Sequence, residues 1–289
     1  MPIDLVANVA IAGVLTGLVY GLMALGLSVI FGVVRVVNFA HGEMMTIAMY
    51  AAVVLFSVWG VDPFIAVLPV AVAFFALGYL LQAGLINPFI TRPEHSQFML
   101  LVAVALIMVN GLLMVFGPDA RSVQTAYQLE SWALGPILFD KARVFAAGAA
   151  LATSALLFAF FRFTLAGKAI RACADNWLGA KVVGLNVRRY YALTFGLGSA
   201  CVAVAGCMMV LLVDVTPVLG PGYTLLAFVI VIVGGLGSMG GALLGGVLIG
   251  LSEAMAGLFI QPSAKSMFSF ALLILVLLFR PQGLLGKRE

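Results

Sequence analysis

Residues 5–31 read LVANVAIAGVLTGLVYGLMALGLSVIF, twenty-seven positions without one charged side chain. About 20 apolar residues suffice to cross a bilayer as a helix, so this stretch is long enough to span. Eight more stretches of similar character follow, at 39–59, 63–88, 97–117, 142–161, 190–213, 223–236, 239–260 and 266–280. Hydrophobic residues make up 64% of the 289-residue chain and charged residues 9%, against the roughly 25% charged of an ordinary soluble domain. Lipid offers no water to satisfy backbone polar groups, so apolar runs of this length must be helices. The expected fold is an all-α polytopic membrane protein with about eight to nine transmembrane segments. The segment at 223–236 has only fourteen residues and is expected to be a half-helix or a re-entrant piece that joins its neighbour inside the membrane.

The polar gaps set an orientation. If the first segment runs outside to inside, the inner gaps hold Arg35, Arg92, Arg162, Lys168, Arg171, Lys181, Arg188, Arg189, Arg280, Lys287 and Arg288, against Arg121, Lys141, Arg143 and Lys265 outside. Eleven to four satisfies the positive-inside rule, with the N-terminus outside and the C-terminus inside. The N-terminal residues lack the basic region of a secretory signal and carry Asp4, so the first apolar run reads as a retained helix. Cys173, Cys201 and Cys207 lack metal-ligand spacing and read as small packing residues. The formal charge of +4 is accounted for by anionic lipid at the inner rim, so a membrane-lipid partner is expected and a nucleic-acid partner is not. No linker or composition shift divides the chain, and residues 1–289 are expected to form a single domain.

Two polar gaps stand out. The outer one, 118–141, carries Pro118, Asp119, Tyr127, Glu130, Trp132 and Pro136 and fits a loop resting at the outer interface. The inner one, 162–189, is amphipathic at helical pitch. Ile170, Ala174, Trp177, Leu178 and Val182 fall on one face, with Lys168, Arg171, Asp175 and Lys181 largely opposite. Asn176 is placed to cap a second short helix ending at Gly184. Two readings stand side by side here: an interfacial helix lying on lipid, or a knob that fits a groove on a soluble partner.

Glycines concentrate in two zones, GLMALGLSVIFGVVRVVNFAHG at 21–42 and GGLGSMGGALLGGVLIG at 234–250. Small residues spaced by four let helix backbones approach closely, which accounts for most of these glycines but not for the interruptions among them. Near the interruptions lie Asn38, His41 and Glu43, then Gly234, Gly235, Gly237 and Ser238, and farther on Glu253 within an apolar helix. An ionisable group at membrane depth costs roughly 2.5–3.5 kcal/mol on insertion scales, which makes it a functional candidate. These eight residues are the candidate translocation-path set. Glu43 reads equally as a cap on the helix starting near Asn38, and His41 as a local hydrogen-bonding group.

Several chemistries are excluded. Gly235, Gly237 and Gly240 match GxGxxG, yet they lie in an apolar segment without the strand-to-helix unit of a dinucleotide site. No GxxxxGK[ST] occurs, so the chain carries no P-loop of its own. Ser238 lacks a GxSxG context and a base. No cofactor and no catalytic residue is indicated.

NFAHGEM at 38–44, preceded by GLVYGLMALGLSVIFGVVRVV, resembles the opening of the membrane permeases of branched-chain amino acid ABC importers. GKAIRACADNWLGAKVVGLNVRR at 167–189 resembles that family's cytoplasmic coupling region, AFVIVIVGGLGSMGGALLGG at 227–246 its glycine-rich motif, and LLFRPQGLLG at 277–286 its C-terminal signature. The likeness is nearest to the LivH type. It implies a type II importer bundle in the bacterial inner membrane, N-terminus periplasmic and C-terminus cytoplasmic. The implied partners are a LivM-type permease, two ATPase subunits and a periplasmic substrate-binding protein. It also implies that Ile170, Ala174 and Trp177 dock into an ATPase, with Lys168, Arg171 and Asp175 at the rim. Substrates across the family include branched-chain and other hydrophobic amino acids, amides, urea and carboxylates. The rival class is a self-sufficient secondary transporter or channel. A proton-coupled carrier needs a relay of buried ionisable groups, and Glu253 stands nearly alone.

Overall fold

A computed structural model describes residues 3–135, 137–260 and 265–286; Pro136, Lys287 and Arg288 therefore lie outside the described residues. The described residues form eleven α-helices and one small hairpin, with short π and 3₁₀ turns between some of them. In order they are α1 (Ile3–Val34), α2 (His41–Trp59), α3 (Pro63–Leu80), α4 (Glu94–Phe116), strands β1 (Ser131–Leu134) and β2 (Ile137–Asp140), α5 (Lys141–Phe163), α6 (Leu165–Asp175), α7 (Trp177–Val182), α8 (Val187–Met209), α9 (Gly220–Gly234), α10 (Met239–Phe259) and α11 (Lys265–Phe279). Among the described residues eight helical stretches are long and apolar enough to cross a membrane, and α11 is a shorter apolar ninth. The expected segments match these to within about three residues at most ends. The short seventh segment is α9, fifteen residues preceded by a single 3₁₀ turn at Pro217–Leu219.

Helix α1 is the central post, packed against α5, α8, α9 and α10. Its contact with α10 is a glycine zipper. A Cβ on Gly17 would sit 2.7 Å from the Gly246 carbonyl oxygen, and one on Gly13 would sit 2.6 Å from the Ala254 Cβ. Gly241 and Gly245 turn instead toward α9, meeting Gly234 and Ile230. In lipid, where apolar surface gains nothing by leaving its solvent, such close backbone approach supplies the dispersion that holds helices together. Much of the second glycine zone is thereby assigned to packing.

The outer helices keep apolar faces uncovered. Leu68 and Val72 on α3, Ile107 and Met114 on α4, and Ile274 and Leu278 on α11 are all largely exposed, as side chains bathed by acyl chains should be. Helix α3 continues through a π-helical turn at Leu81–Ile86. There the buried Gln82 donates to Asn87 Oδ1 (3.1 Å), and Asn87 donates to the Arg188 carbonyl oxygen at the start of α8 (3.3 Å).

The two ends of the bundle differ. One gathers the α2–α3 turn, the hairpin and the 210–216 loop, tied by Tyr127 to Asp62, Gln128 to the Leu211 carbonyl, and the Arg121–Val215 bridge. The outer gap is thus more than a loop. Its strands β1 and β2 form an antiparallel pair with Ser131 opposite Asp140 and Leu134 opposite Ile137, and the Leu138 amide donates to Asn8 Oδ1 of α1. The opposite end carries α6, α7, the α9–α10 turn and the C-terminal segment. It holds Arg35, Arg92, Arg162, Lys168, Arg171, Lys181, Arg188, Arg189 and Arg280.

Candidate functional site

At the basic end α5 turns sharply into α6. Thr164 caps α6 by accepting from the Gly167 amide (3.0 Å), and Gly167 lies so close that a Cβ there would meet the Phe161 Cα at 2.6 Å. Asn176 then caps α7, its Oδ1 accepting from Gly179 N at 2.8 Å, and Gly184 ends the unit in the left-handed region at φ 87°. Helix, turn and helix agree with the sequence expectation, but the apolar face does not run through. The break at Asn176 resets the helical register, so Ile170 is fully buried against the protein's own core while Trp177 and Leu178 are more than half exposed. The expectation that Ile170 docks into a partner is corrected: it anchors α6 to the bundle. Ala174 is half-buried, and Lys168, Arg171 and Asp175 are exposed. The outward face is instead Trp177, Leu178, Val182 and Val183, with the Lys181 ammonium 4.9 Å from the Trp177 ring centroid. Burial pushes the Cys173 thiol on α6 above its usual range, so it is an unreactive packing group.

Beside this unit opens a cavity of about 1440 Å³. Its walls come from the end of α1 and the adjoining loop (Phe31, Arg35), the start of α4 (Glu94, Phe98), the end of α6 (Ala174, Asp175), the α9–α10 turn (Leu236, Gly237, Ser238) and the C-terminal segment (Gln282, Leu285). That last segment is bonded in place. Leu284 N donates to the Val233 carbonyl oxygen and Leu285 N to that of Gly234, both at 2.9 Å, satisfying carbonyls that the end of α9 would leave open. Gly283, at φ 80°, packs on Gly235 with no room for a side chain.

Of the eight path candidates only Gly237 and Ser238 line this cavity. Ser238 also caps α10 by accepting from the Gly241 amide (3.1 Å). Gly234 and Gly235 are buried in contacts with α10 and the C-terminal segment, so packing accounts for both. Asn38 is buried and accepts from the Ala40 amide at 3.1 Å, shaping the loop that leads into α2. His41 is buried with Nε2 2.9 Å from the Met23 carbonyl oxygen of α1; among the described residues its Nδ1 has no partner.

Glu43 lies in the first turn of α2, a few residues after Asn38. Helix α2 begins at His41 without a side-chain cap, and the buried Glu43 carboxylate accepts from the Thr224 hydroxyl of α9 at 2.8 Å. That same hydroxyl accepts from the Gly42 amide at 2.8 Å, so one side chain of α9 satisfies two groups of α2. Nothing in the sequence singled out Thr224. Glu253, half-buried on α10, accepts from Ser269 of α11 at 2.8 Å and lies within hydrogen-bonding reach of Tyr20 of α1. Its main partner comes from the last helix and not from a glycine-rich zone. At the far end, burial and then the adjacent Asp62 carboxylate hold the Tyr127 phenol well above its usual range.

The family model described as the branched-chain amino acid transport system permease component matches residues 9–277. The chain is 30% identical over 295 residues to the high-affinity branched-chain amino acid transport system permease protein LivH of Escherichia coli (strain K12), covering 96% of this chain and 94% of that one. It is 29% identical, with the same coverage, to the corresponding permease protein BraD of Pseudomonas aeruginosa. Among solved structures, PsaBC from Streptococcus pneumoniae in complex with Fab superposes with a TM-score of 0.53 over 93% of this chain and 91% of that one, at 15% identity, a likeness of fold. The multi-pass apolar bundle, the match along nearly its whole length and these relatives agree, and the chain belongs to the branched-chain amino acid transport system permease family.

Proposed function

We propose that this chain is the membrane half-path of an ATP-driven importer for branched-chain or related hydrophobic amino acids, with amides, urea and small carboxylates as the neighbouring substrate classes. It would act beside a second permease of LivM type, two ATPase subunits and a periplasmic binding protein, all of residues 1–289 forming one permease domain. ATP would be hydrolysed on the partner subunits. The basic end is cytoplasmic on this reading, by the nine-to-four distribution of basic residues between the described ends, and the hairpin end periplasmic. Gly237, Ser238 and the vestibule they line would belong to the path, and Glu253 and Glu43 to the polar contacts holding its helices.

The observation that carries the reading is the exposed face of α7. Trp177, Leu178, Val182 and Val183 project from a short helix capped by Asn176, and the preceding α6, capped by Thr164 and anchored by buried Ile170, exposes Lys168, Arg171 and Asp175. A rigid aromatic anchor in a basic setting is a good contact for a soluble partner. A self-sufficient carrier has no use for it. The test is Trp177→Ala in the assembled complex. Loss of a central aromatic anchor is worth about 2 kcal/mol or more, so the ATPase should co-purify far less and uptake should fall. Full ATPase retention with full uptake would remove the coupling role.

A further inference from the structure

The vestibule at the basic end is lined by the charged Arg35, Glu94 and Asp175, with His95 also on its wall, and among the described residues no ion pair joins them. Arg35 closes α1 at φ 57°, the one non-glycine residue so placed among the described residues. A side chain in that region is uncommon, and such strain persists where the surroundings enforce it; here Val34 and Val36 on either side are buried. Glu94 opens α4 and Asp175 closes α6, and both face the same cavity as Arg35. Among the described residues the ion pairs lie elsewhere, Lys141 with Glu130 and Arg143 with Asp140. Phe31, Phe98 and Leu236 supply apolar wall between the charges.

A bare anion entering this space would meet two carboxylates, and a bare cation would meet a guanidinium. A neutral apolar solute would leave all three charges unused. We propose that the vestibule is a weak binding site for a zwitterionic amino acid with an aliphatic side chain: Arg35 takes the carboxylate, Glu94 and Asp175 take the ammonium, and Phe31, Phe98 and Leu236 face the side chain. This rests on the transporter reading and adds to it a site on the release side. At about 1440 Å³ the cavity exceeds the roughly 300–1,000 Å³ of sites that enclose a small ligand, so the solute stays hydrated on several sides. Weak holding is what release requires, since a path must bind well enough to admit and loosely enough to let go. Asp175 belongs to α6, the helix that carries α7, so movement of the coupling unit would shift one of the ammonium's two partners. A phosphatidylethanolamine headgroup carries the same pair of charges and is the second source of such a ligand.

The test is binding of radiolabelled leucine to the assembled permease–ATPase complex without its binding protein, in nanodiscs free of phosphatidylethanolamine. Saturable millimolar binding is expected, competed by valine but not by 4-methylpentanoate or isoamylamine, which each lack one charge. Arg35→Gln and Glu94→Gln should each weaken it about tenfold or more, the scale of a lost charged hydrogen bond. Exchanging the charges, Arg35→Glu with Glu94→Arg, should restore part of it. Equal competition by the singly charged analogues, or unchanged binding in both variants, would overturn the proposal, as would binding that appears only when phosphatidylethanolamine is present. Variants that shed the ATPase subunits along with leucine would mark this wall as a docking surface and overturn it too. If the wild type binds nothing here yet imports leucine when its binding protein is supplied, the release site falls and the transporter reading stands. If it neither assembles nor imports, both fall.

Discussion

Gly17→Ala adds one methyl group at the closely packed joint between α1 and α10. The new Cβ would lie 2.7 Å from the Gly246 carbonyl oxygen and 2.8 Å from the Val247 Cα, both backbone atoms that no rotamer change can move. Ordinary contact begins at 3.4 Å, so α1 and α10 must separate locally by about 0.7 Å (3.4 − 2.7). A gap of 0.5–1 Å forfeits roughly a quarter to a half of each atom pair's attraction, and each pair is worth about 0.1–0.2 kcal/mol. Over a few tens of pairs along a long glycine-paired interface that comes to about 1–2 kcal/mol, within the ~1–3 kcal/mol typical of overpacking. Alanine's better helix propensity returns about 0.5–1 kcal/mol at most. The expected net effect is destabilisation by about 1 kcal/mol. Gly148→Ala on α5 is the control, because a Cβ there meets nothing within 4 Å; it should be neutral or stabilise by up to about 1 kcal/mol. Reversible unfolding in mixed micelles measures both. Equal stability of the wild type and Gly17→Ala, or a loss at Gly148 as large as at Gly17, would refute the argument that backbone contact between α1 and α10 organises the bundle.

Thr224→Val removes the hydroxyl shared by Glu43 and the Gly42 amide, leaving two buried groups unpaired at about 1–3 kcal/mol each, whereas Thr224→Ser should stay close to wild type; thermal unfolding separates them. Gly283→Val forces a side chain against Gly235, 2.5 Å away, at φ 80°; it should detach the C-terminal segment from α9, read as faster amide exchange at Leu284 and Leu285. Tyr127 has a folded pKa raised above the unfolded value of about 10, so its contribution is complete below about pH 10 and is lost as pH rises toward the folded value. Tyr127→Phe should therefore flatten the alkaline limb of a stability-against-pH curve, and an unchanged limb would argue against the Asp62 contact. Glu253→Gln keeps an acceptor for Ser269 and removes the charge; uptake should fall with assembly intact if the carboxylate serves the path, and remain if it only tethers α11.

The spans were legible because span length is a one-dimensional property: an apolar run of about 20 residues has one solution in lipid. The vestibule was not, because its wall is assembled from five separated parts of the chain and depends on how helix ends converge. Local chemistry was readable where one residue decides it, as with Asn176 capping α7 and Gly184 ending it. It misled where a periodic pattern was extended through such a residue. The face drawn through Ile170, Ala174 and Trp177 assumes one continuous helix, yet a cap interrupts the 3.6-residue period, and α7 starts at a new angle. Ile170 and Trp177 consequently do opposite work, one buried in the bundle and one presented outward. The hairpin carried a signal too, two four-residue runs around Gly135 at φ 66°, masked by the loop-like composition around it. The glycines divide by the same logic. Their spacing announced close packing, and it reaches further toward the N-terminus than the two dense zones, through Gly13 and Gly17. Which glycine packs and which faces water depends on the partner helix. Gly234 is closed by Gly241, while Gly237, three residues on, turns at φ 75° into the vestibule. The glycine packing therefore stops at the α9–α10 turn, where the vestibule opens, and the end of α9 that leads into that turn is held by the backbone bonds of the C-terminal segment.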